Sequence, residues 1–203
     1  MRIRVTFSKT DHMRYTGHLD LHRTWERTLR RARLPLSYSQ GFNPRPKINL
    51  AAALPLGFTS DCELVEFWLD SDQPVSEVES HLREAAPPGI EIHRVEKVDP
   101  QTPKIPNLVE AAEFQATLDE PIPDLAVRVN QLLTADTLER ERRGKAYDLR
   151  PLIEDLQVED NQHLNLRLAA RANATGRPEE VLEALGVDPL ATRVHRTKLI
   201  MRE

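Results

Sequence analysis

The first hundred residues switch their apolar period from two to nearly four and back, which limits the folds open to the chain. Ile3, Val5 and Phe7 alternate with Arg2, Arg4 and Thr6, the mark of a strand with one buried face. Leu21, Trp25, Leu29 and Ala32 then recur at helical spacing, so residues 19–33 read as a helix that Pro35 stops. Residues 48–56 and 62–69 read as strands joined by a turn around Gly57, and residues 75–86 as a second helix. Pro87-Pro88-Gly89 ends that helix before a strand over 90–98. The order β-α-β-β-α-β is the ferredoxin-like plan.

The plan repeats in outline. Phe114, Ala116 and Leu118 alternate as a strand. Asp124 is placed to cap a helix carrying Leu125, Val129 and Leu132. Residues 137–143 read as a polar edge strand, Leu164, Leu166, Leu168 and Ala170 as a clear strand, 179–185 as a short helix and 192–201 as a last strand. The expectation is an α+β protein of two tandem ferredoxin-like (βαββαβ) domains. They cover residues 1–99 and 111–203, with a proline-rich linker over 100–110.

Apolar residues make up 39% of the 203, enough for real cores. No run of eighteen apolar residues occurs and the N-terminus lacks a signal-like stretch, so no membrane association is expected. The one cysteine, Cys62, reads as a core residue, and a reducing cytoplasm is the expected location. The chain offers no cysteine cluster for iron–sulfur ligation, no phosphate-binding glycine loop and no Ser-His-Asp signature.

Charge is unevenly spread. The formal net charge is −4, yet residues 1–60 hold 11 Lys/Arg against 3 Asp/Glu, while residues 61–103 hold 3 against 11. The positive charge is therefore a patch on one helix and its flanking loops. Arg23, Arg27, Arg30 and Arg31 fall roughly opposite Leu21, Trp25 and Leu29 on the helical wheel. Arginine forks suit phosphate or carboxylate oxygens, and a row of them suits a polyanion. The competing reading is a solvated face neutralised by Asp20, Glu26 and the acidic stretch that follows.

Two loops flank this helix. Tyr15-Thr16-Gly17-His18 leads into its N-terminus, where backbone N–H groups attract anions. Gly41-Phe42-Asn43-Pro44-Arg45-Pro46-Lys47 follows it and mixes a ring with cations, as surfaces for bases and phosphates do. The bland alternative has Gly41 at positive φ, Phe42 plugging the core and the prolines stiffening a turn. His12, Tyr15 and His18 are weak candidates for acid–base cleavage of RNA. His12, His18 and His22 lack the companions of a metal site, so neither metal nor cofactor is expected. In the second half, Lys145, Tyr147, Asp148 and Arg150 form a compact polar motif before Pro151, or simply a strand end with a turn.

The stretches Arg14-Tyr15-Thr16-Gly17-His18-Leu19-Asp20 and Tyr38-Ser39-Gln40-Gly41-Phe42-Asn43-Pro44-Arg45-Pro46, with Glu26-Arg27 and Arg30-Arg31 between them, resemble the radical-SAM-associated protein family. That family is an uncharacterised bacterial domain of unknown function, and Tyr147-Asp148-Leu149-Arg150-Pro151 is similar to its second motif. The resemblance implies a protein encoded beside, or fused to, a radical-SAM enzyme. A separate partner rather than a fused catalyst is expected here. It also implies a histidine where this chain has Arg45. Three functions follow: an RNA-binding or substrate-presenting partner of that enzyme, an adaptor docking on it without nucleic acid, or an RNA-processing enzyme.

Overall fold

The computed structural model describes residues 1–142 and 144–202. The chain is mixed α+β, with mainly antiparallel sheet and four α-helices among the described residues. It divides into two compact units, 1–108 and 109–203.

In the first unit the elements run β1 (Arg2–Lys9), α1 (His18–Arg31), β2 (Ile48–Leu50), β3 (Thr59–Trp68), α2 (Val75–Ala85) and β4 (Ile90–Val98). β1 pairs antiparallel with both β3 and β4, and β2 pairs antiparallel with β3, giving the order β2-β3-β1-β4. Alternation in β1 buries Ile3, Val5 and Phe7 completely. Leu21, Trp25 and Leu29 of α1 and Val78, Leu82 and Ala85 of α2 join them in one cluster. The Phe7 and Trp25 rings meet edge to face at 4.8 Å.

The opposite face of β1 is not a bare solvent face. Arg2 is buried and donates to the carbonyls of Asp99 and Thr102 at 2.6 and 2.8 Å. Buried Glu66 takes Arg4 at 2.9 Å and the Ile105 amide at 3.1 Å. Residues 99–107 are thus laid against the first unit, with Ile105 fully buried in a 3-10 turn (Ile105–Asn107). The strand expected over 48–56 is correspondingly short. After Leu50 the chain leaves the ladder, with Leu54 buried and Leu56 exposed at the turn into β3.

The second unit contains β5 (Val109–Leu118), α3 (Leu125–Thr134), β6 (Glu139–Arg142), β7 (Lys145–Asp148), β8 (Ile153–Val158), β9 (His163–Arg171), β10 (Ala174–Thr175), α4 (Pro178–Ala184) and β11 (Thr192–Met201). β5 lies between β9 and β11, and β8 and the short β10 both pair with β9. The edge strand expected over 137–143 is corrected here; Arg143 itself lies outside the described residues. Residues 139–142 pair with β7 in a separate two-stranded ribbon, and β8 occupies the sheet position instead. β8 hides its period because a bulge between Ile153 and Asp155 sets its buried residues, Ile153 and Leu156, three apart. Asp124 stands at the head of α3, but its carboxylate holds Arg128 at 3.0 Å rather than a backbone amide.

Gly89 locks the α2–β4 turn against the segment after β1. Its φ is +92°, its carbonyl accepts the Thr10 amide at 3.0 Å, and a Cβ there would lie 2.6 Å from Met13 Cγ and 2.9 Å from Met13 N. Gly89→Ala should therefore destabilise the protein by about 1–3 kcal/mol, measured as a lowered urea midpoint with an unchanged m-value.

Candidate nucleic-acid interface

The eleven cations of residues 1–60 fall into three sets. Arg2, Arg4, Lys9, Arg14 and Arg31 are spent on the fold. Beyond Arg2 and Arg4, buried Lys9 donates to the Phe58 carbonyl at 2.8 Å, Arg14 to the Gly57 carbonyl at 2.9 Å and Arg31 to the Ala85 carbonyl that ends α2. Arg23 pairs with Asp20 at 3.1 Å on the exposed surface. Arg27, Arg30, Arg33, Arg45 and Lys47 are exposed and make no side-chain hydrogen bond or ion pair among the described residues. Self-neutralisation therefore accounts for part of the charge and leaves these five cations facing solvent.

Their placement follows from the helix. Burial of Leu21, Trp25 and Leu29 turns Arg23, Arg27 and Arg30 outward. Arg33 continues the run in a left-handed conformation, φ 55°, a site where glycine is the usual occupant. The Arg33 amide bonds the Arg30 carbonyl at 3.0 Å and closes the helix end. Arg31, Arg33, His81 and Glu84 line a cleft of about 430 Å³ between the ends of α1 and α2.

The loop after α1 is a hairpin on the β2 side of the sheet. Tyr38 bridges Pro46, the Ser39 amide reaches the Arg45 carbonyl at 2.8 Å, and the Lys47 amide reaches the Ser37 carbonyl at 2.9 Å. Its base is tied to the end of β3 by the Ser37 amide on the Trp68 carbonyl at 2.8 Å. Gly41, at φ +125°, Phe42, Asn43 and Pro44 form the exposed tip. Phe42 does not plug the core; its ring is fully exposed. Tyr38 is also exposed, a second ring that its place beside a proline-rich turn did not single out in the sequence.

The loop before α1 sits at the other end of the unit. Arg14 and Gly57 bond each other reciprocally at 2.9 Å, and the Arg14 guanidinium lies 5.5 Å from the Tyr15 ring centroid. Exposed His12 lies in a 3-10 turn (Asp11–Met13), Tyr15 is exposed and His18 opens α1 half-buried. Arg30 and Arg33 mark the end of α1 from which the chain runs on into the 37–47 hairpin, while His12, Tyr15 and His18 belong to the opposite end of α1. Among the described residues no group of three His, Cys, Asp or Glu is arranged to hold a metal. No helix among them is long and apolar enough to cross a membrane.

In the second unit, Asp148 and Arg150 serve the backbone. Asp148 accepts the Leu138 and Arg150 amides at 2.8 and 2.9 Å, and Arg150 caps the Leu133 carbonyl at the end of α3 at 2.9 Å. Tyr147 belongs to a cluster with Arg142 and Glu180. Arg142 reaches Glu180 at 2.5 Å and the Tyr147 hydroxyl at 3.1 Å, and lies 4.7 Å from the Tyr147 ring centroid. Lys145 is exposed beside Gly144.

Residues 2–178 match the family described as "Uncharacterized protein conserved in bacteria (DUF2344)". The chain belongs to that family. No curated protein matches it. The family match contains α1, the 41–47 hairpin and the Tyr147–Pro151 segment, and stops at the first residue of α4.

Burial, and then the Glu180 carboxylate, push the Tyr147 phenol up from 10.0 to about 12. The folded state holds this proton more tightly than the unfolded one, so the contribution is full below about pH 10 and is lost as pH rises through about 12. Tyr147→Phe should abolish one phenolate step near pH 12 in an absorbance titration and flatten the fall in stability between pH 10 and pH 12.

Proposed function

We propose that this protein binds RNA, through the outer face of α1 and the hairpin that follows it, as a non-enzymatic partner of a radical-SAM enzyme. One observation carries the reading: five cations without partners among the described residues, on one helix face and the loop it feeds. A folded surface that leaves this many guanidinium and ammonium groups unpaired has a favourable place for a string of phosphates. Arg33 adds to it, because an arginine holds a backbone position that a glycine would occupy with less strain. The enzyme partner rests on the motif resemblance alone, over residues 14–20, 38–46 and 147–151.

We read each unit as a ferredoxin-like domain. The support is the strand order of each, β2-β3-β1-β4 and β8-β9-β5-β11, with the β6–β7 ribbon inserted in the second. A cytoplasmic location is supported by the single cysteine.

Protein docking is a second reading with its own support. Tyr15 and Leu56, on the two loops that Arg14 ties together, and Leu19, in the first turn of α1, are exposed large apolar side chains at the end of α1 away from the hairpin. That end suits the partner enzyme and leaves the basic end to nucleic acid.

Arg27→Glu with Arg30→Glu should weaken binding to bacterial RNA at least tenfold at low salt. The double variant should also lower the slope of log affinity against log salt by about 1–2. Fluorescence anisotropy across a salt series measures both. Wild-type protein that binds no RNA at low salt would falsify the reading.

A further inference from the structure

Resting on the RNA reading above, we infer that the 37–47 hairpin is a stacking platform for unpaired bases, so that the ligand is single-stranded RNA rather than duplex. The tip carries Phe42 with its whole ring in water, which has no role in packing the first unit. An exposed phenyl ring at a loop tip offers both faces of its π-system to a flat ligand. Its setting identifies the occupant. Arg45 and Lys47 lie two apart on the returning arm and so project to the same side of the ribbon. Neither has a side-chain partner among the described residues. No acidic residue occurs in the sequence between Glu26 and Asp61. The carboxylate that reaches the hairpin, Asp70, is engaged by the Ser37 hydroxyl at its base.

The platform is also pre-ordered. Backbone bonds from Ser39 to Arg45 and from Lys47 to Ser37, with the Arg45 amide on Ser39 Oγ at 3.0 Å, close the ribbon below the tip. Pro44 and Pro46 fix two further φ angles. A tip whose base is held this way loses little backbone freedom when a base stacks on its ring. Duplex bases present no face to such a ring, whereas splayed single-stranded bases do, and their phosphates then have Arg45 and Lys47 of the same ribbon to meet. Tyr38, exposed on the outgoing arm, offers a second ring.

The test uses the full chain and three probes of equal length: labelled oligouridine RNA, duplex RNA, and a backbone-only oligomer of abasic units. Wild type should prefer the oligouridine to both others. Phe42→Ala should weaken oligouridine binding about 5- to 100-fold, leave abasic binding unchanged and be restored by Phe42→Trp. Because Phe42 is fully exposed, neither variant should change the thermal midpoint. Equal binding by Phe42→Ala and wild type, with Arg27→Glu/Arg30→Glu still impaired, would overturn the platform and leave the basic surface standing. A preference for duplex would overturn it too. Absence of binding to all three probes would remove both.

Discussion

Everything on the first unit hangs on the contact between α1 and the central strand β1. β1 is hydrogen-bonded on both sides, and its apolar face is sealed by Trp25 against Phe7, with Leu21 and Leu29 in the same cluster. That contact leaves α1 one rotation about its axis. Once Trp25 is down, Arg23, Arg27 and Arg30 are up, because a helix carries its side chains around at a fixed angle. Replacing Trp25 with alanine would cost about 3–5 kcal/mol in lost packing, which is the order of the margin that holds a small domain folded. Core and charged surface are thus two sides of one constraint.

The cations of the first sixty residues are divided by whether a carbonyl or carboxylate lies within their reach. Arginines on β1 and at the end of α1 act as structural pins: they bond carbonyls of Asp99, Thr102 and Ala85 and the buried carboxylate of Glu66. Such bonds serve chain ends and helix termini whose polar groups would otherwise lie unsatisfied. Arg27, Arg30, Arg33, Arg45 and Lys47 instead stand in water without an ion-pair partner among the described residues. Local sequence supplies both groups with the same residue type, and what separates them is the partner each can reach: Arg31 is exposed yet bonds the Ala85 carbonyl.

The alternating runs of β1, β4 and β5 and the helical stripe of α1 could be read directly, since each has one buried face and a regular period. The outward placement of Arg27 and Arg30 followed from that stripe. The role of Arg31 did not, because its partner is a carbonyl 54 residues away on α2. β8 was missed because its bulge breaks the period, and residues 139–142 were misplaced because a polar alternating strand does not say which strand it joins. The hairpin was legible as a shaped loop from its glycine and prolines, but the fate of Phe42 was not: a phenylalanine in a turn fits a core plug and a bare contact equally well. Asp148 and Arg150, a compact motif in the sequence, tie the ribbon back to α3 through backbone atoms.

The basic end of the first unit is the proposed nucleic-acid surface. Ultraviolet crosslinking in living cells, followed by mass spectrometry of nucleotide-bearing peptides, tests it most directly, because it asks for contact where the cations and rings lie. RNA adducts are expected on the peptide containing Phe42 and on peptides flanking Arg27 and Arg30. Adducts confined to residues 109–203, or RNA-free protein recovered only with a protein partner at Tyr15, Leu19 and Leu56, would contradict it.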